Sequence, residues 1–407
     1  MNRWTDDTPQ VPSEENEAQP MDEQFLRRSK FALRFSRYLL LMALAIVLIG
    51  LVIANRDNIN MDNFRRLMAK IDLGISDGSS RTGESIEFDY DEDGKIAPFK
   101  DGLVYLTPSK LTIMDNRGTR FFSVNTGFTA PEVLTTDRFV VTYDRGGNRI
   151  LVTNSFAVVF EKTTDHPILS VSMNKKGYLA VITQSDRYKN TLLVFDHNFE
   201  EVFTWNSTDR YLLSAEISPD NQSVALSCYN TSGETAQAEL VCVRTDQEEI
   251  YWSVPLEEGL PLKIAYKSAG DLAVLQANSL SFYNAKGEKK NTFTPENAFI
   301  QQFDLSQERY SVLAVSDSRR GACTLCIVDN NGKQTQAVKL TECIDYMSVC
   351  DGQIALLGEQ KTYVCSADSS KILYEKENAG SVKRVCLSGK NNLFDIYASK
   401  AVYTDIQ

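Results

Sequence analysis

The chain is poor in histidine and has no surplus of positive charge. Two histidines, His166 and His197, stand among 407 residues, so a His-ligated metal centre or a His-driven proton relay has almost no material. Lysine and arginine number 43 against 54 aspartates and glutamates, for a net charge of −11. Nucleic acid is thereby excluded as the expected partner, because its binders neutralise phosphate with basic side chains. Amphipathic helices of any length are missing beyond residue 85, which excludes a helical solenoid. With 43% hydrophobic residues the chain nonetheless has ample material for a large core, and it is not a disordered protein.

One apolar run is present. Residues 38–54, YLLLMALAIVLIGLVIA, carry no charge, and a helix rising about 1.5 Å per residue over that length reaches most of a hydrocarbon layer of about 30 Å. It lacks the polar stripe of a surface helix, and a single transmembrane helix is expected there. Arg27, Arg28, Lys30, Arg34 and Arg37 precede the run, while Arg56, Arg65, Arg66 and Lys70 follow it mixed with Asp57 and Asp62. This bias, and the small size of the head, set the N-terminus in the cytoplasm and the larger C-terminal part outside the cell. Cleavage after Ala54 is the alternative, but the long charged head suits an uncleaved anchor.

Four regions follow from this reading. Residues 1–37 form a disordered acidic cytoplasmic head with a basic juxtamembrane segment, since Pro9, Pro12 and Pro20 stand among carboxylates with few large apolar groups. Residues 38–54 form the membrane helix. Residues 55–84 hold a short amphipathic helix with Met61, Phe64, Leu67, Met68 and Ile71 on one side, then the flexible stretch SDGSSRTG. Residues 85–407 form an extracytoplasmic domain of short alternating strands broken by Gly, Asn, Asp and Ser.

That domain repeats. A polar turn followed by an apolar-Ala-apolar triplet recurs with its alanine at Ala180, Ala225, Ala273, Ala314 and Ala355, spaced by 45, 48, 41 and 41 residues. A second marker, an alternating strand ending in Asp or Asn with Gly three residues on, occurs as KLTIMDNRG (110–118), SLSFYNAKG (279–287) and TLCIVDNNG (324–332), with degenerate copies at Asn154, Asp196, Thr245 and Ser366. The Asx side chain shapes the turn and Gly supplies the positive φ. A period of about 41 with four strands per unit predicts an all-β propeller. Eight blades are expected at 96–125, 132–161, 168–205, 214–254, 262–294, 300–340, 344–376 and 382–405, with seven as the alternative count. The last lacks an outer strand, and SIEFDY (85–90) is a strand without a partner, so their pairing is expected to close the ring.

The segment ISPDNQSVAL (217–226) looks like the strand-turn-strand "SPDG" of bacterial propellers, although the Gly-His and Trp-Asp marks of WD40 blades are absent. A short acidic head, one span, NRDNINMDNFRRL (55–67) and a degenerate propeller together resemble a bacterial family, domain of unknown function 5711, over nearly the whole chain. That resemblance implies a membrane-anchored propeller and assigns no chemistry. In shape the domain is also similar to quinoprotein-dehydrogenase-like eight-bladed rings, but no adjacent cysteines or tryptophan docking motif for a quinone are found, and no cofactor is expected.

All eight cysteines lie in the exported part, where disulfides are permitted. Cys228 and Cys242 flank a hairpin and are candidates to face each other across its strands. Cys323 and Cys326 resemble a metal or redox motif, yet residues three apart on a strand point to opposite faces, so chelation by that pair is not expected. His166 follows Asp165 in an inter-blade loop, which does not make a catalytic pair.

Loops joining second to third strands share a face with loops between blades. On that face stand Arg145, Arg149, Arg187, Lys189, Arg319 and Arg320, with Tyr188 and Tyr211 adding aromatic surface; the loop 125–130, with Phe128, adds to it. These residues form either a ligand-binding rim or ordinary solvated loop tips. With no convergent nucleophile and base, the expected function is a non-catalytic binding or scaffolding module for an envelope protein or polymer. The alternatives are a propeller enzyme, hydrolase, lyase or cofactor-dependent dehydrogenase, using loop carboxylates, and a transmembrane sensor signalling to the acidic head.

Overall fold

A computed structural model describes Met42, Gly83, residues 85–89 and residues 91–406, except for Ser232, Glu234, Asn297, Arg319, Arg320 and residues 379–381. The expected cytoplasmic head, membrane helix and short stalk helix thus lie outside the described residues, apart from Met42. Among the described residues no helix is long and apolar enough to cross a membrane.

The described residues from Ser85 onward form eight four-stranded antiparallel sheets. Seven are consecutive in sequence: Lys95–Asn125, Pro131–Thr163, Ile168–Ser207, Arg210–Pro255, Lys263–Phe293, Phe299–Lys339 and Ile344–Glu377. The eighth joins Arg384–Leu387, Asn392–Ile396 and Lys400–Asp405 to the N-terminal strand Ser85–Glu87. Eight blades, and not seven, make the ring. The expected starts and ends fall within about four residues of these, because turn chemistry marks the hairpins more sharply than the strand tips.

Second strands such as Gly102–Leu106, Leu179–Thr183 and Leu272–Leu275 are buried along their whole length. Both faces of a blade's middle are covered by neighbours, so these strands are continuously apolar. Outer strands such as Val158–Thr163 and Ile250–Pro255 alternate, because one side meets water. First strands of successive blades lie side by side toward the axis.

The core is divided into eight apolar clusters, and each spans two successive blades. Ala180, Ala225, Ala273, Ala314 and Ala355 are each fully buried, and each belongs to the cluster shared with the following blade. A larger side chain there would drive the blades apart, which is why the repeat keeps alanine.

Closure uses the N-terminal strand as expected. Ser85, Ile86 and Glu87 pair with Val402, Ala401 and Lys400, and Gly83 N–H donates to Tyr403 O (2.8 Å). Ile86 joins Phe394 and Tyr403 in a cluster with Leu103, Tyr105 and Met114 of the first blade. Ser388 Oγ donates to Lys100 O (2.7 Å), a second link across the seam.

The repeated hairpins carry the expected chemistry. Asp115 Oδ1 accepts the N–H groups of Arg117 and Thr119 (2.9 and 2.8 Å), Asn284 Oδ1 those of Lys286 and Glu288, and Asp329 Oδ1 those of Asn331 and Lys333. In the degenerate copy Asp196 makes the same pair of bonds, while Phe199 adopts φ +64° where the others have glycine. Gly287 has φ +78°, and a Cβ there would lie 2.7 Å from the Trp252 ring. Gly287→Ala is expected to cost about 2–3 kcal/mol in a denaturant titration. Gly146→Ala, at φ +83° but with open space around it, is expected to cost only about 1 kcal/mol.

Candidate functional site

Antiparallel topology puts the loops between second and third strands and the loops between blades on one side of the ring, here called the upper face. The upper ends of the inner strands of blades four to six carry exposed apolar side chains: Tyr211 and Leu213 on Arg210–Ile217, Leu262 just before Lys263–Tyr266, and Phe299 at the start of Phe299–Asp304. Leu262 and Phe299 are each 56% exposed. Leu260 in the same inter-blade loop and Tyr188 in the third blade's loop extend the set. Six large apolar groups are thus exposed along this rim from the third blade to the sixth.

Polar support lies beneath. Lys189 Nζ donates to Tyr211 Oη (3.1 Å) and sits 4.8 Å from its ring centre, a cation–π contact that fixes the tyrosine. Under Tyr211, the largely buried Arg210 donates through Nε to Glu239 Oε2 (2.8 Å) and through a terminal nitrogen to both Asp209 oxygens (2.8 and 2.7 Å). Glu239 also accepts Asn230 Nδ2 (2.8 Å). Burial disfavours the Arg210 charge, but Glu239 and Asp209 outweigh it and raise its pKa. For Glu239 burial is likewise outweighed, by Asn230 and Arg210, and its carboxyl is held below the usual range. The inner strand bearing Tyr211 and Leu213 is thus anchored by a satisfied ionic network rather than by packing alone.

The expected rim residues divide. Lys189, Tyr188 and Tyr211 gather on the upper face. Arg145 and Arg187 are exposed on loop tips of the same face. Arg149 is committed to the scaffold, paired with Glu161 (2.8 Å) and donating to Thr126 O (2.5 Å). Arg319 and Arg320 lie outside the described residues. Phe128 is not on the surface, since it is packed between the first and second blades. Sequence reasoning missed Leu213, Leu260, Leu262 and Phe299. The signal for Leu213 was available in YLLSAEI, where both phases of an inner strand are apolar although only one can face a neighbouring blade.

On the lower face a cleft of about 150 Å³ opens between blades four and five, lined by Asp220, Arg244, Tyr251, Trp252, Tyr266 and Asn284 among others. Trp252 Nε1 donates to Ala285 O (2.9 Å). Tyr266 Oη lies 3.2 Å from Ser223 Oγ and 3.9 Å from Cys242 Sγ. Burial raises the pKa of both Tyr266 and Cys242, so neither is an activated nucleophile. A cleft this small falls short of the volumes that enclose organic cofactors.

Four further cysteines carry no activated thiol either. Burial pushes Cys326 and Cys350 up to about 11 and Cys365 and Cys386 up to about 12. Cys228 and Cys242 do not meet: Cys228 is opposite Glu239 and Cys242 opposite Ala225, and all are thiols. Cys323 and Cys326 point to opposite faces of their blade, into the clusters with the seventh and fifth blades respectively. Among the described residues no three His, Cys, Asp or Glu side chains are disposed to hold a metal. His166 Nδ1 lies 3.9 Å from Asp186 Oδ1 on the surface, a loose pair with a partner other than its sequence neighbour Asp165.

The chain is similar to the C-terminal WD40 domain of Sif2, at 10% identity and a TM-score of 0.58, covering 81% of this chain and 100% of that one. It is also similar to BamB from Moraxella catarrhalis, at 12% identity and a TM-score of 0.48, covering 80% of this chain and 99% of that one. At such identities the likeness to the WD40 domain is one of fold alone. No curated protein matches. A family model described as "Family of unknown function (DUF5711)" matches residues 78–402, and the chain belongs to that family.

Proposed function

We propose that this chain is a single-pass membrane protein whose propeller stands outside the cell and docks an envelope protein on its upper face without performing chemistry. The observation that carries this reading is that Tyr188, Tyr211, Leu213, Leu260, Leu262 and Phe299 are all exposed at one rim, with Tyr211, Leu213 and Phe299 on inner strands and the others in the adjoining loops. Aromatic and aliphatic anchors on a rigid base favour a protein partner over a charged polymer, because most of their contact energy comes from burial. The basic side chains that would hold an anionic polymer are fewer than the sequence suggests, with Arg149 already engaged. Burial raises the Cys242 thiol beside the lower cleft, so that cleft offers no activated thiol nucleophile. The uncharged run 38–54 with its basic N-terminal flank supports the anchor, with the head in the cytoplasm.

The test is quantitative co-purification from detergent-solubilised membranes with the full chain as bait. Combined Tyr211→Ser, Leu262→Ser and Phe299→Ser replacement is expected to reduce retained partner about tenfold or more while leaving the thermal unfolding midpoint in place. Undiminished retention by this variant would contradict the reading.

A further inference from the structure

Cys323 and Cys343 meet on the upper face between blades six and seven. Cys323 Sγ lies 2.7 Å and Cys343 Sγ 3.3 Å from a single atom, Gln301 Oε1. The two sulfurs are therefore no more than about 6 Å apart, and side-chain rotation has to bring them to the bonded distance of about 2 Å. The backbone holds them together. Cys323 N–H donates to Glu342 O (3.1 Å), Leu340 N–H donates to Cys323 O (2.8 Å), and the Ile344 N–H, on the peptide that follows Cys343, faces the Cys323 thiol. Cys323 is fully buried, whereas Cys343 is half-buried.

We propose that Cys323 and Cys343 form a reversible disulfide that staples the sixth blade to the seventh, by exchange with small disulfides of the glutathione class. The half-buried Cys343 thiolate attacks one sulfur of the small disulfide and releases one thiolate. Cys323 then gives its proton to solvent and attacks the Cys343 sulfur, releasing the second. The protein loses two protons and two electrons, and one small disulfide becomes two thiols. Because Cys323 is buried and Cys343 reaches solvent, the first attack falls to Cys343 and the resolving attack to Cys323. The bond forms beside Gln301, two residues along its strand from Phe299 of the docking rim, but the inference stands on the thiol geometry alone.

The experiment equilibrates the full-length protein in detergent at pH 8 with glutathione and glutathione disulfide over a range of ratios. Acid quenching, alkylation with N-ethylmaleimide and non-reducing tandem mass spectrometry follow. The expected result is a bond between Cys323 and Cys343, two fewer alkylated thiols, and an unfolding midpoint raised by several degrees and restored by dithiothreitol. Cys343→Ser should show neither the bond nor the shift. Eight alkylated thiols under every ratio, a bond at Cys326 or Cys350 instead, or the same shift in Cys343→Ser would overturn the proposal.

Discussion

Replacing Lys267 by methionine is expected to lower the unfolding free energy by about 3 kcal/mol. Lys267 directly follows the inner strand of the fifth blade and is 3% exposed. Its ammonium donates to Leu305 O (2.8 Å), Gln307 O (2.8 Å) and Tyr310 O (3.0 Å), three carbonyls on the first hairpin of the sixth blade. One side chain thus donates to three carbonyls of the neighbouring blade and ties two blades at the lower end of their seam. Burial pulls its pKa down to about 8, against a smaller opposing pull from Asp304, so it remains an ammonium at neutral pH. Methionine keeps the stem's packing but removes all three of these bonds. The control is Lys290→Met, which breaks a solvent-screened pair with Asp271 (3.0 Å) and should cost well under about 1 kcal/mol. Equal losses for the two variants in denaturant titrations would refute the assignment.

The second large effect concerns ring closure. Ile86→Asp is expected to cost about 4 kcal/mol, because it removes an apolar group from the cluster joining the eighth blade to the first and sets a carboxylate in its place. Its neighbours Ser85 and Glu87 face solvent on the same strand, so Glu87→Gln should change stability by no more than about 0.5 kcal/mol. Released from Val402, Ala401 and Lys400, the N-terminal strand would expose the edge of Lys400–Asp405. Limited proteolysis of Ile86→Asp should then cut within residues 85–89, where the wild type resists. Resistance in both would mean that the ring closes by other contacts.

How much of this was legible in the sequence depends on whether the cause was local. The Asx-Gly hairpins are local chemistry, so Asp115, Asn284 and Asp329 mark their turns in the sequence as they do in three dimensions. The alanine triplets report a constraint repeated at every blade interface, so even a degenerate repeat reveals it. Closure by SIEFDY is legible because a strand without a partner and a blade without an edge call for each other. Register was not legible: the loop between Cys228 and Cys242 fixes a hairpin but not which residues face, and the observed pairing sets each thiol opposite a different residue. Nor was the apolar rim. Leu262 and Phe299 read as core residues in a linear pattern, and only their position at the mouth of the ring exposes them. Arg149 is the converse case, since it finds Glu161 across its own hairpin, a contact that a linear pattern does not show.

Photo-crosslinking addresses the docking rim most directly. Benzoyl-phenylalanine placed at Tyr211, Leu262 or Phe299 of the full chain in intact cells is expected to yield a covalent adduct with one and the same envelope protein. Probes at Val202 and Ile372, equally apolar and exposed but on outer strands, should yield none. Adducts from the outer-strand positions with none from the inner rim would contradict the account.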